Sequence, residues 1–515
     1  MSRRIGLASL IWSLSILLSR VIGLVREAVF GRVVGGGLEA DLYFAAFILP
    51  DFLNYLLAAG ALSIVFIPIF GGYLAKGEEE RGWEAFSVIS TFLIGLLAVA
   101  LTAGWFAVPA LSNAVFSFDA EATDELVRLT RIVLPAQAFH VIGGLLSAAL
   151  QARDKHSLPA LAPLVYTGCI IGGGLLGGPD AGASGFAWGV LVGSVLGPFG
   201  LPLVGCLRMG LRWRPVLSVR HPDLRTYLWR SLPIMLAFSI VMWDDWLLKS
   251  QGSKLAEGSV ATLQYAKTLL RVPMGVFGVA VGTAAFPTLA RLVAEGELDG
   301  AYRTLASAVK RMLVLALGAQ VALTCAGPQI ARVIYGGRLP PEQHDAIGLA
   351  LGIMCLGLWG WAAQTVVARG FYALGKTWLP SLLGSVVVLA AWPVYAALGK
   401  THGVVGLAAS SSLAISTYVL ALGLLLRREF PGVPDGFGPF ALRAVPGVAA
   451  GLGAGYAVSL VLPSDLVPLP EPWASLVHGA VLGGVGGVAY LVALLALRLP
   501  EVTEVLGIVQ RRLRR

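Results

Sequence analysis

The chain has 515 residues, of which 57% are hydrophobic and 13% charged, about half the charge share of roughly 25% usual in soluble domains. A soluble chain of this length would need several domains under a broad charged surface, and this composition cannot supply one. Disorder, a collagen-like repeat and a disulfide scaffold are excluded too: the chain is apolar, its 64 glycines follow no Gly-x-y period, and it has four cysteines. What remains is an all-α polytopic membrane protein.

Apolar blocks of twenty or more residues, the length that crosses about 30 Å of hydrocarbon as helix, recur along the whole chain. Outer-membrane barrels would show alternating ten-residue segments instead. About fourteen transmembrane helices are predicted. They cover 8–31, 41–74, 84–113, 125–151, 157–178, 182–207, 226–250, 259–290, 303–335, 346–370, 378–398, 403–426, 441–463 and 473–497. Several exceed the bilayer thickness, so tilt or extension is expected. Pro50, Pro68, Pro273 and Pro287 fall inside blocks and should bend them. Arg3 and Arg4 precede an apolar run as in a signal peptide, but no Ala-x-Ala-like site follows, so an uncleaved first span is expected.

Lys and Arg in the loops set orientation. Arg208, Arg212, Arg214, Arg220, Arg225 and Arg230 cluster between spans 6 and 7, and Arg511, Arg512, Arg514 and Arg515 at the end, whereas the loop at Phe118–Glu125 has acids and no base. Both termini are therefore expected in the cytoplasm. The net charge of +9 is then a topology signal; no soluble basic face exists for nucleic acid. Cys169, Cys206, Cys325 and Cys355 lie in or beside apolar blocks without CxxC spacing, the histidines form no zinc pattern, and His140 reads as a packed side chain. Gly370-Phe-Tyr-Ala-Leu-Gly375-Lys376-Thr377 fits the P-loop formula. Bulky apolar residues fill it and no strand precedes it, so a turn is expected and no nucleotide.

That turn discloses a repeat. Ala152-Arg-Asp-Lys-His-Ser-Leu-Pro-Ala-Leu161 and Ala373-Leu-Gly-Lys-Thr-Trp-Leu-Pro-Ser-Leu382 share Ala, Lys, Leu, Pro and Leu in register, six spans apart. An even offset makes the copies parallel, a transporter layout. The expected organisation is an N-lobe over 1–220 (spans 1–6), a C-lobe over 221–430 (spans 7–12) and two further spans over 431–515. Gly278 and Gly282 form a GxxxG pair suited to close helix packing.

Charges within spans are costly and usually face water or a partner. They are Arg20, Arg26 and Glu27 in span 1, Asp41 and Asp51 in span 2, Asp244 and Asp245 in span 7, and Lys267 and Arg271 in span 8; Arg128 and Arg131 sit near the outer end of span 4. Pairing of Arg20 with Glu27, or Arg26 with Asp41, is one expectation. Bases on two repeat-related arms facing a shared cavity is the other, and guanidinium forks there suit a phosphate-bearing cargo.

The run Ser19-Arg-Val-Ile-Gly-Leu-Val-Arg-Glu27, then Asp41-Leu-Tyr-Phe-Ala-Ala-Phe-Ile-Leu-Pro50, Gly60-Ala-Leu-Ser63 and Phe66-Ile-Pro68 resembles the MurJ (MviN) lipid II flippases. So do Val272-Pro-Met-Gly-Val-Phe-Gly-Val-Ala-Val-Gly-Thr283, Phe286-Pro287 and Arg369–Thr377. The resemblance implies the multidrug/oligosaccharidyl-lipid/polysaccharide exporter superfamily. It also implies alternating-access transfer of an undecaprenyl-diphosphate-linked peptidoglycan precursor to the outer leaflet of the bacterial cytoplasmic membrane, by a monomer. It carries substrate-binding roles to Arg20, Arg26 and Asp41. The family's basic pair after the span 2 Leu-Pro is here Asn54-Tyr55, its acid before the Gly-Ala is Ala59, and its span 8 arginine is Thr268, with Lys267 and Arg271 as nearby bases. Asp244 and Asp245 are the ion-coupling candidates, with the membrane potential, H+ or Na+ as drive. Some relatives pair a span 7 acid with one on span 11, which has none here (379–397). The family associates spans 13 and 14 with a groove for the lipid tail. A flippase for another polyprenyl-linked glycan, a cation-coupled drug exporter and a non-transporting scaffold remain open on the residues alone. No enzymatic chemistry and no cofactor is expected.

Overall fold

The computed structural model describes residues 18, 21–58, 65–236, 240–430, 432–462 and 469–513. Arg20, Ala59 and Gly60–Ser63, together with Arg3, Arg4, Arg514 and Arg515, lie outside the described residues. Within them every regular element is a helix, as an apolar chain must be if each backbone amide is to find a partner inside lipid. The chain forms two compact units, Met1–Phe238 and Ser239–Arg515.

Unit 1 comprises α1 (21–33), α2 (Leu38–Ala45), α3 (Ile48–Ala58), α4 (Ile67–Ala75), α5 (Glu79–Val115), α6 (Ala120–Val133), α7 (Ala136–Gln151), α8 (Ser157–Ser194), α9 (Leu201–Arg208) and α10 (Pro222–Leu236). Helix α5 has 37 residues, about 55 Å at 1.5 Å per residue, and so outreaches the hydrocarbon. Its buried Trp83 and Phe86 lock against Phe66 and Phe70, with Phe70 and Trp83 edge to face at 5.1 Å. Helix α8 folds back on itself at Gly178 and Gly182, whose φ of 61° and 48° would strain any L side chain. Its arms then touch through glycine: a Cβ on Gly173 would meet Gly185 O at 2.5 Å, and one on Gly193 would meet Tyr166 O at 2.7 Å. Such backbone proximity needs residues without side chains.

Unit 2 comprises α11 (Ile240–Gly252), α12 (Ser259–Pro273), a π-turn (Met274–Val279), α13 (Ala280–Ala294), α14 (Leu298–Tyr335), α15 (Pro341–Cys355), α16 (Leu358–Ala373), α17 (Leu379–Arg428), α18 (Phe437–Val461), α19 (Trp473–Ala496) and α20 (Pro500–Leu513). Helix α14 is its pillar: Tyr302, Leu305, Val309, Met312, Leu313 and Ala316 recur at helical spacing on its buried face, and α15, α16, α18 and α19 pack around it. Helix α17 folds back at Gly403 (φ 58°), as α8 does in unit 1. The Gly278 and Gly282 pair meets α16: added Cβ atoms would lie 2.8 Å from Thr365 Oγ1 and 2.9 Å from Arg369 Nε.

Nine helices among the described residues are long and apolar enough to cross a membrane, ten with the pair Pro341–Cys355 and Leu358–Ala373, bent by 44°. The seventh block holds α10 and α11 on either side of 237–239, which lie outside the described residues, and the eighth is broken where α12 passes at Pro273 into the π-turn. Proline lacks the donor that an unbroken helix needs there. The 378–398 and 403–426 blocks run together as α17, while half of the first block lies outside the described residues. Leu176, Leu442, Val461 and Phe106 are more than three-quarters exposed, as lipid-facing side chains should be.

Candidate functional site

In unit 1, α1 carries Arg26 and Glu27. Neighbours in a helix point about 100° apart, so the long guanidinium swings round to donate from Nη2 to Glu27 Oε1. Glu27 is buried at 7% exposure, while Arg26 keeps 31%. The phenols of Tyr43 and Tyr166 lie within electrostatic reach of the guanidinium, and Asp51 within reach of Tyr166. Phe30 stacks on Tyr43 at 4.5 Å and stands edge-on to Phe186 at 4.9 Å, fixing the phenol's approach. His140 stands edge-on to Tyr166 at 5.0 Å, a packed side chain as its sequence context suggests. Asp41, in the first turn of α2, is 1% exposed. Asn54 on α3 is half-buried.

In unit 2 the span 7 and span 8 charges form one network. Lys267 and Arg271 share a face of α12, as do Asp245 and Lys249 on α11, each four residues apart. Lys267 Nζ donates to Asp244 Oδ2 at 2.6 Å and lies 3.0 Å from Asp245 Oδ1. Arg271 Nη2 donates to that same Oδ1 at 3.0 Å, and Lys249 Nζ approaches Asp245 Oδ2 at 3.1 Å. Tyr395 OH donates to Asp244 Oδ1, and the Lys267 ammonium lies 5.8 Å above the Trp361 ring. Three bases thus share two carboxylates. Lys267 is buried, but Arg271 keeps 40% of its side chain exposed, so the surplus positive charge has an accessible end. Thr268 is half-buried, one position round α12 from Lys267.

An apolar cavity of about 590 Å³ opens between α14, α16, α17 and α18. Leu313, Leu317, Val419, Leu420, Phe440 and Val445 line it, and one polar end holds Arg427 and Asp435, 3.3 Å apart. Helix α18 is the thirteenth predicted span, so this span does wall an apolar groove.

Arg26 is therefore joined to Glu27, its own neighbour, where the sequence suggested Asp41. Lys267 and Arg271, proposed for phosphate, and Asp244 and Asp245, proposed for ion coupling, are partners of one another. Lys249 and Tyr395 complete their network and escaped the sequence reading. The 245/249 spacing was a visible signal for the first; the second needed the fold. No group of three or more His, Cys, Asp or Glu that could hold a metal ion occurs among the described residues.

A family model described as lipid II flippase MurJ matches residues 30–465. The lipid II flippase MurJ of Burkholderia cenocepacia is 30% identical over 373 residues, covering 69% of this chain and 71% of its own length. Among solved structures, lipid II flippase MurJ in an inward closed conformation aligns at TM-score 0.76 and 21% identity, over 93% of this chain and 98% of that one. An inward-facing multidrug resistance MATE transporter of the MOP superfamily aligns at TM-score 0.67 and 16% identity, over 79% and 94%. At these identities the two structures speak for the fold.

Proposed function

The chain belongs to the lipid II flippase MurJ family, and from that premise we propose that it carries lipid II from the inner to the outer leaflet of the bacterial cytoplasmic membrane. The observation that carries this reading is the sign of the accessible charge. In each unit the exposed member of the buried ionic group is a guanidinium, Arg26 at 31% and Arg271 at 40%. Planar forks of this kind replace the hydration of a diphosphate, whereas a cationic drug would need exposed carboxylates. The groove along α18 offers apolar wall to a polyprenyl tail.

The working step is an exchange of partners. Asp245 is held by Lys249, Lys267 and Arg271, so Arg271 can leave it for a phosphate without stranding a buried carboxylate. Asp244 keeps Lys267 and Tyr395 throughout. Arg26 is the corresponding base in unit 1, where the partly exposed guanidinium can add a phosphate while still holding the buried Glu27, with Asp41 and Asn54 as further headgroup residues. Alternating exposure of these bases to the two sides moves the cargo. A membrane potential negative inside contributes about 2.3 kcal/mol per charge per 100 mV to outward movement of an anion. H+ or Na+ at Asp244 or Asp245 would first have to displace Lys267, so the potential is the proposed drive. The transporter acts as a monomer with both termini in the cytoplasm.

A second reading, export of another polyprenyl-linked glycan, is favoured by Asn54 and Thr268 standing where the family pattern has bases. Reconstituted vesicles decide between them: protease- or dye-accessible lipid II should accumulate in the far leaflet faster than other undecaprenyl-diphosphate glycans. Equal or slower movement of lipid II sinks the reading.

A further inference from the structure

Outside these ionic groups, unit 1 has a polar cavity of about 580 Å³, walled by Glu39, Arg128, Asp180, Ser184 and Trp188 over a floor of Gly173, Gly177 and Gly185. It lies where α2 begins, where α8 folds back and two turns into α6. By the distribution of loop charges this is the outward end of the unit.

The site is built. Glu39 Oε1 accepts from Ala183 N at 2.6 Å, an approach open only because Gly182 has no Cβ, which would fall 1.8 Å from that oxygen. Arg128 is clamped by Glu125, Nε to Oε2 and Nη2 to Oε1 both at 2.6 Å, and reaches across to Ser184 Oγ at 2.6 Å. Ser184 and Trp188 are one turn apart on the same face of the α8 return arm, and the indole is 54% exposed on a stretch whose neighbours at 185–187 are buried. The opposing arm presents Gly173 and Gly177, which press against the backbone of the return arm and bring the pocket's floor close beneath the indole's helix.

The lining decides the ligand class. Glu39 and Asp180 outnumber Arg128, whose charge Glu125 already answers, so a diphosphate is repelled. A simple cation would use neither the Arg128 donors nor the indole plate. A flat aromatic face flanked by donors and acceptors suits a ring with an apolar C–H face and a rim of hydroxyl and acylamino groups. We propose that this outward pocket binds the acylamino-sugar part of the exported molecule and holds it on the far side after transfer. The inference rests on the lipid-linked glycan reading and assigns a place on the protein to the glycan.

The test uses the full chain in nanodiscs of zwitterionic lipid and saturation-transfer NMR with N,N′-diacetylchitobiose as probe. Saturable binding is expected, weakened at least tenfold by Trp188→Leu and by Asp180→Asn and unchanged by Leu442→Ala at an exposed position outside the pocket. Trp188 is half exposed, and near-unchanged thermal unfolding of its variant certifies the comparison; Asp180→Asn supplies a second, milder change. Absence of binding, binding indifferent to both substitutions, or preference for lysine or inorganic diphosphate over the sugar overturns the proposal. Indifference would leave Trp188 as an interfacial anchor. Failure of flipping with intact sugar binding would count against the transport reading alone, and the reverse against the pocket alone.

Discussion

The two units place buried charge in different ways. In unit 1 Arg26 lies on the adjacent Glu27, with the base a third exposed. Unit 2 has five ionised groups closed on one another, with Asp244 at 1% and Lys267 at 4% exposure. In the unit 1 pair the guanidinium is partly exposed and can add a ligand, whereas Glu27, at 7% exposure, depends on that base. A dry network resists opening, because any group removed strands another. Under the proposed function, capture of an anion falls to Arg26 and the Arg271 end of the network, and rigidity to its Asp244–Lys267 end.

The largest expected effect is on that end. Asp244→Ala leaves Lys267 short of a counter-charge and Tyr395 without its acceptor, and should lower stability by about 3–5 kcal/mol, read by denaturant or thermal unfolding in detergent. The double variant Asp244→Asn with Lys267→Met should recover most of the loss, and failure to recover would mean the pair is not the unit of stability. Next comes Arg26→Ala, expected to cut lipid II flipping at least about tenfold, or about 1.4 kcal/mol, and to lower stability by about 1–3 kcal/mol, because the buried Glu27 loses its base. Arg26→Lys should fall between, since charge remains and the fork is lost. Full complementation of a flippase-depleted strain by Arg26→Ala would break the comparison. Arg271→Ala should slow flipping about threefold to fivefold with little change in unfolding, because Asp245 retains two bases. Smallest is Thr268→Arg, which restores the family's base beside the network and should raise diphosphate-lipid binding by less than about threefold; a loss would show that this face of α12 does not meet the headgroup.

Much of this architecture was legible. Block lengths located the helices because lipid tolerates no unsatisfied backbone, and Ser157–Gly178 carries the bounds of its block unchanged. The breaks were legible only as prolines: Pro273 marks a π-turn, but nothing in the sequence distinguishes that outcome from a gentle bend. The charged residues stood out, since few occur within spans. Their partners did not, because Tyr395 meets Asp244 across 151 positions of chain and an aromatic in an apolar block looks like any other packed ring. Arg26 misled for a simpler reason. Adjacent residues point apart on a helix, and only the reach of the arginine stem brings it to Glu27.

The two fold-back points, at Gly178 to Gly182 in α8 and Gly403 in α17, follow the two copies of the repeated cassette that begins at Ala152 and Ala373. Each ties a descending and an ascending arm with almost no intervening chain. Arms joined by so few residues are expected to enter the membrane together, side by side, as a preformed pin.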